Sequence, residues 1–234
     1  MSPHPHWRHR PHDSTWWAPG ELDWWMGVLF AIGATCFALG ALPGYVEAVG
    51  VATDGVTFFV GSIFFTTAAY LQVRESCDGR VFGWHPHRAE WVAAVVQFAG
   101  TLFFNASTFH AMEQNLSASQ ANQLVWRPDT LGSICFLVAS AVAWLCVTRS
   151  WWAWQPHRPA WWIVGLNLIG SIAFGVSAIA SKVVPDTDQV RNVTLMNLGT
   201  FIGALGFLIA AVLLLPERTR GEATAGGEGQ TVRA

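Results

Sequence analysis

The sequence predicts an all-α, polytopic membrane protein whose six transmembrane helices are laid out as three tandem, parallel helical-hairpin repeats. Composition, the spacing of charge and an internal motif lead there independently. Of 234 residues, 52% are hydrophobic and 12% charged, and the chain holds 14 Trp and 15 Phe, a balance foreign to ordinary soluble domains. Uncharged runs occupy 24–46, 55–73, 91–112, 130–148, 159–181 and 192–216, the shortest of 19 residues. At about 1.5 Å per residue even the shortest can cross a hydrocarbon core of about 30 Å. The pattern Gly-small-x-x-Phe-x-x-small-small occurs once in each run, beginning at Gly33, Gly61, Gly100, Gly132, Gly170 and Gly203. At about 100° per residue these positions share one helix face, smooth except for a single phenyl knob. Close backbone approach is what such faces offer inside a bilayer, so the six glycines read as helix-packing positions.

Residues 1–21 read as a His- and Trp-rich tail with no cleavable signal peptide. The first hairpin spans 22–73. A loop and second hairpin follow over 74–148, a loop and third hairpin over 149–216, and 217–234 reads as a disordered, glycine-rich tail. The pattern WxPxxxxW precedes the first, third and fifth spans, at Trp17/Pro19/Trp24, Trp84/Pro86/Trp91 and Trp154/Pro156/Trp161. In each copy a motif glycine follows the second tryptophan by nine residues, and the copies are offset by 67 and 70, which argues for duplication of a hairpin unit. Proline there turns the chain before the helix, and the indoles prefer headgroup depth.

Cations set the expected orientation. Arg8, Arg10, Arg74, Arg80, Arg88, Arg149, Arg158, Arg218, Arg220 and Arg233 lie in the tails and the even-numbered connections; Arg127, Lys182 and Arg191 lie in the odd-numbered ones. Ten against three places both termini in the cytoplasm of a cell (plasma) membrane protein. The lipid bilayer is then the expected partner, with a homo-oligomer or a further membrane partner left open and nucleic acid excluded. Cys36, Cys135 and Cys146 fall in spans and Cys77 in a connection, which is no external disulfide framework.

Chemistry-bearing residues are few. His85, His87 and His157, with His4, His6, His9 and His12 of the tail, all fall on the predicted cytoplasmic side and are the candidate metal ligands. His110 lies near the end of the third span with Glu113 three residues on, close enough on a helix to share a proton or a cation. Gln97 and Asn167 each precede a motif glycine by three residues. With Asn105, His110 and Glu113 they make a candidate polar pathway, or they hydrogen-bond between helices. No catalytic motif, phosphate loop, dinucleotide fingerprint or HExxH is present, so neither an enzyme nor a bound cofactor is expected.

The hairpin segments TFFVGSIFF and DTLGSICF, and HRxxW leading into the next helix, resemble the YrhK-like domain and the multi-span integral membrane proteins of actinobacteria that contain it. The resemblance covers roughly residues 20–215. That family has no assigned activity, substrate or catalytic residue, so the resemblance implies an architecture and nothing functional. Three readings follow: a structural or partner-binding membrane protein, which the dominance of packing residues favours; a small transporter or channel for a neutral or weakly polar solute; and a metal-handling protein using the histidines.

Overall fold

A computed structural model describes residues 16–77, 83–113 and 115–228, with side chains as far as residue 215. The tail histidines His4, His6, His9 and His12, and residues 229–234, lie outside the described residues. The chain forms α1 (Leu22–Gly40), α2 (Pro43–Val49), α3 (Val51–Ser76), α4 (Ala89–Ala111), α5 (Ala118–Ala121), a π-helical turn (Asn122–Trp126), α6 (Arg127–Thr148), α7 (Pro159–Ala180) and α8 (Val193–Glu228). Between α7 and α8 a short antiparallel ladder pairs β1 (Val183–Val184) with β2 (Gln189–Val190). Six helices are long and apolar enough to cross a membrane: α1, α3, α4, the continuous helix 118–148, α7, and α8 as far as Leu215. Their outward faces carry exposed Ile32, Ile63, Leu102, Ile134, Ile172 and Ile209, as lipid contact requires.

Each spanning helix packs on the next, and α8 returns to pack on α1, so the three hairpins close into a ring. Both ends of the described chain reach one face of the ring, here the termini face. The connections within the hairpins form the opposite, turn face. Lipid tails are as apolar as leucine, so helices there associate through close packing and a few hydrogen bonds. The motif glycines supply that closeness within each hairpin. A Cβ on Gly33 would stand 2.9 Å from the Gly61 carbonyl oxygen, one on Gly132 3.0 Å from that of Gly100, and one on Gly170 2.9 Å from that of Gly203. The same backbone contact therefore recurs in all three hairpins.

Hydroxyl groups add to this, within the third hairpin, where Ser177 Oγ lies 2.8 Å from Thr200 Oγ1, and between hairpins. At the α3/α4 seam Ser62 Oγ lies 3.0 Å from Thr108 Oγ1, and Thr66 donates to Asn105 Oδ1 at 3.1 Å. At the α6/α7 seam Ser140 Oγ lies 2.8 Å from Ser171 Oγ. Thr66 and Asn105 are both at the sixth motif position, and the Ser62–Thr108 and Ser140–Ser171 pairs join second and ninth positions. The equivalent positions on α1 and α8 are Ala34, Ala41, Ala204 and Ala211, all buried. At these positions the closing seam is an apolar fit, with Gly27 of α1 against the Leu215 side chain and the Ala211 backbone.

The WxPxxxxW pattern folds into one corner three times. Trp17 and Trp24 meet edge to face with centroids 5.1 Å apart; Trp84 and Trp91, and Trp154 and Trp161, do so at 5.2 Å. The second indole N–H then donates to the carbonyl of the residue before the first tryptophan, from Trp24 to Trp16, Trp91 to Gly83 and Trp161 to Ala153, at 2.9–3.0 Å. Buried indole N–H groups need such an acceptor. The corner fixes where each odd-numbered span begins.

Gly132→Val should overpack the α4/α6 crossing and destabilise the protein by about 1–3 kcal/mol. Gly175→Ala, whose Cβ would meet nothing within 4 Å, should be neutral or stabilising by up to about 1 kcal/mol. Thermal unfolding midpoints of the purified variants check the contrast. A double-mutant cycle of Ser140→Ala with Ser171→Ala should return a coupling of about 0.6 kcal/mol.

Candidate functional site

The six motif phenylalanines converge on the ring axis. Phe37, Phe104 and Phe174, from α1, α4 and α7, form a triangle with centroids 6.0–6.4 Å apart. Phe65, Phe136 and Phe207, from α3, α6 and α8, form a second, with spacings of 5.4–6.2 Å. The two triangles touch within each hairpin, at 5.5 Å for Phe37 and Phe65, 5.0 Å for Phe104 and Phe136, and 5.7 Å for Phe174 and Phe207. All six rings are buried. They form a phenyl septum across the middle of the bundle, placed by helix direction: the knob follows its glycine, toward the turn face on odd-numbered spans and toward the termini face on even-numbered ones.

A cavity lies on each side of the septum. The one on the turn face has a volume of about 530 Å³ and rests on Phe37, Phe104 and Phe174. Its wall contains Asp54, Glu113 and Asp129 and, among the described residues, no lysine or arginine. The cavity on the termini face, about 170 Å³, is backed by Phe207 and lined by Gln72, Gln97, Ser140 and Asn167. Gln72 Oε1 is buried there without a hydrogen-bond partner.

Asp129 owes its place to a helix longer than the uncharged run. That run begins at 130, which put Asp129 at a membrane boundary, but the helix starts at Ala118 behind a capping box in which Ser117 and Gln120 bond each other's backbone amides. Pro128 would break a regular α-helix, since it lacks an N–H and crowds the carbonyl four residues back. The π-helical turn 122–126 directly before it absorbs the mismatch, and the helix continues through to Thr148. Asp129 therefore sits well inside a 31-residue helix. Ser181 Oγ donates to its Oδ2 at 3.4 Å. Asn122 clamps the turn face from the same segment, donating to the Val183 carbonyl at 2.7 Å and accepting from the Val183 N–H at 2.9 Å.

The polar residues singled out from sequence separate into groups. Gln97 and Asn167 come together on the wall of the termini-face cavity, and among the described residues no hydrogen bond joins them. Asn105 lines neither cavity and instead accepts from Thr66 between α3 and α4. His110 Nδ1 is hydrogen-bonded to Glu113 Oε1 at 2.7 Å, with side chains 31% and 49% exposed, and Glu113 reaches the rim of the turn-face cavity. His85, His87 and His157 lie on the termini face. Among the described residues no group of three or more His, Cys, Asp or Glu converges as a metal site would. The motif glycines stand at the helix crossings. Asp54 and Asp129 were not legible as site residues, because both mark the ends of uncharged runs in sequence. The RPD step at 127–129, a proline inside an otherwise helical stretch, is the signal that could have exposed the second.

Comparison with known protein families, with curated proteins and with solved structures finds no match.

Phe136→Ala should cost about 3 kcal/mol, because its neighbours are septum rings held from four other helices that cannot collapse into the gap. Phe109→Ala, on a side chain 52% exposed at the outer surface, should cost under about 1 kcal/mol. Unfolding in graded denaturing detergent separates the two.

Proposed function

We propose that this membrane protein is a non-catalytic carrier or gated conduit for a small solute. One observation carries the reading: two cavities face opposite sides of a single phenyl septum on the axis of a closed ring, the arrangement a solute path interrupted by a gate requires. The amides of Gln72, Gln97 and Asn167 give the smaller cavity hydrogen-bonding capacity without charge. The arginine asymmetry supports a cell-membrane orientation with both termini cytoplasmic, which makes the turn-face cavity the external one. Kinship with the YrhK-like domain is part of the same proposal and rests on the hairpin segments alone.

Accessibility tests the reading without knowledge of the solute. In a background with Cys36, Cys77, Cys135 and Cys146 replaced, Thr200→Cys in the turn-face cavity and Gln97→Cys in the termini-face cavity are each exposed to a small hydrophilic methanethiosulfonate in nanodiscs. Both should be modified, and Phe136→Cys within the septum should not. If neither cavity position reacts, the interior is closed to water and the structural, partner-binding role takes its place.

A further inference from the structure

We infer that the turn-face cavity binds a small organic cation, an alkyl- or arylammonium, as the solute of the path proposed above. The inference rests on that reading and identifies its substrate class.

Three features of the cavity lead to this class. Its charge is one-sided: Asp54, Asp129 and Glu113 line it, and among the described residues no lysine or arginine does. Glu113 is engaged with His110 at the rim. Asp129 receives one long hydroxyl bond from Ser181. Asp54, half-exposed in the first turn of α3, has its Oδ1 shielded from solvent and without a hydrogen-bond partner. Neither aspartate is in an ion pair among the described residues. A shielded carboxylate oxygen without a donor is costly, as is a carboxylate within a span held by one long bond, and a charged donor from a ligand reduces both costs.

The second feature is the floor. Phe37, Phe104 and Phe174 meet below the cavity, and Phe58 joins them from α3. Aromatic faces attract ammonium groups and bury alkyl or aryl bodies. Lys182 shows the preference within the molecule, its Nζ lying 5.0 Å from the ring centroid of Trp126, which also reaches this cavity. The third feature is the spread of the oxygens. A bare divalent cation needs six or more oxygen ligands drawn close around it, and among the described residues the acidic side chains form no such group. Phenyl walls with separated carboxylates suit a cation that carries its own apolar volume, and about 530 Å³ is within the ordinary range for such ligands.

Calorimetric titration of the full chain in nanodiscs, referenced to empty nanodiscs, tests the assignment with three probes: phenethylammonium, its neutral isostere 2-phenylethanol, and tetraethylammonium. Both ammonium probes should bind, and 2-phenylethanol should bind at least about tenfold more weakly than phenethylammonium. Asp129→Asn should weaken phenethylammonium about tenfold and leave the alcohol unchanged, while Asp129→Glu should retain most of the affinity. Should Asp129→Asn fail to yield folded protein, Asp54→Asn and the wild-type preference for ammonium over alcohol still decide. Equal affinity for phenethylammonium and 2-phenylethanol overturns the cation assignment, as does displacement of phenethylammonium by calcium. Absence of binding by all three probes overturns it too. The solute reading survives these outcomes if the cavity cysteines are modified, and falls with the cation assignment if they are not.

Discussion

The structure depends on one constraint: helices in lipid gain little from burying apolar surface, so their backbones must come into contact. Glycine carbonyls 2.9–3.0 Å from where a Cβ would stand, in each of three hairpins, admit a side chain only if the facing backbone shifts. Once each hairpin is drawn together at mid-depth, the phenyl group one helical turn past the glycine has only the axis to point into. The glycines and the septum are therefore one device. Tight crossings at the rim of the ring force the aromatic knobs to its centre.

That device also governs where polarity lies. A six-ring septum fills the axis at mid-bilayer, and the free volume is displaced to either side. The termini side keeps amides, and the turn side keeps carboxylates over a phenyl floor. Hydroxyls at the second and ninth motif positions hold the seams between hairpins, at Ser62 with Thr108 and Ser140 with Ser171, and two of those residues, Thr108 and Ser140, also reach the turn-face and termini-face cavities. Polar residues in this bundle thus do two jobs, holding seams and lining cavities, which their identities do not reveal.

Much of the architecture was legible because it is periodic. Six uncharged runs correspond to six candidate spanning helices, and the six motif glycines stand at the helix crossings. The WxPxxxxW pattern was visible as a recurrence, but its physical content was not. Indole donation back over eight residues is a tertiary contact that no local propensity encodes. The cavity aspartates were hidden for a different reason, although Glu113 was recognisable. Charge spacing locates the ends of apolar runs rather than the ends of helices, and the capping box at Ser117 together with the π-helical turn carries one helix past Asp129. Gln97 and Asn167 were recognisable as a matched pair, whereas Asn105, equally polar and similarly deep, belongs to a seam. Only the rotation of each helix within the ring separates those cases.

The alanine seam between α1 and α8 bears on biosynthesis. The first span emerges from the ribosome long before the last, so its closing face must stand in lipid while the intervening spans are made. A serine or threonine there would have only a carbonyl of its own helix to bond until α8 is made, as the exposed Thr35 bonds Ala31 at 2.8 Å. Ala34 and Ala41 ask for no partner, and the hydroxyl clips are confined to helices that follow one another directly along the chain. The ring is polar where its neighbours arrive together and apolar where it must be patient.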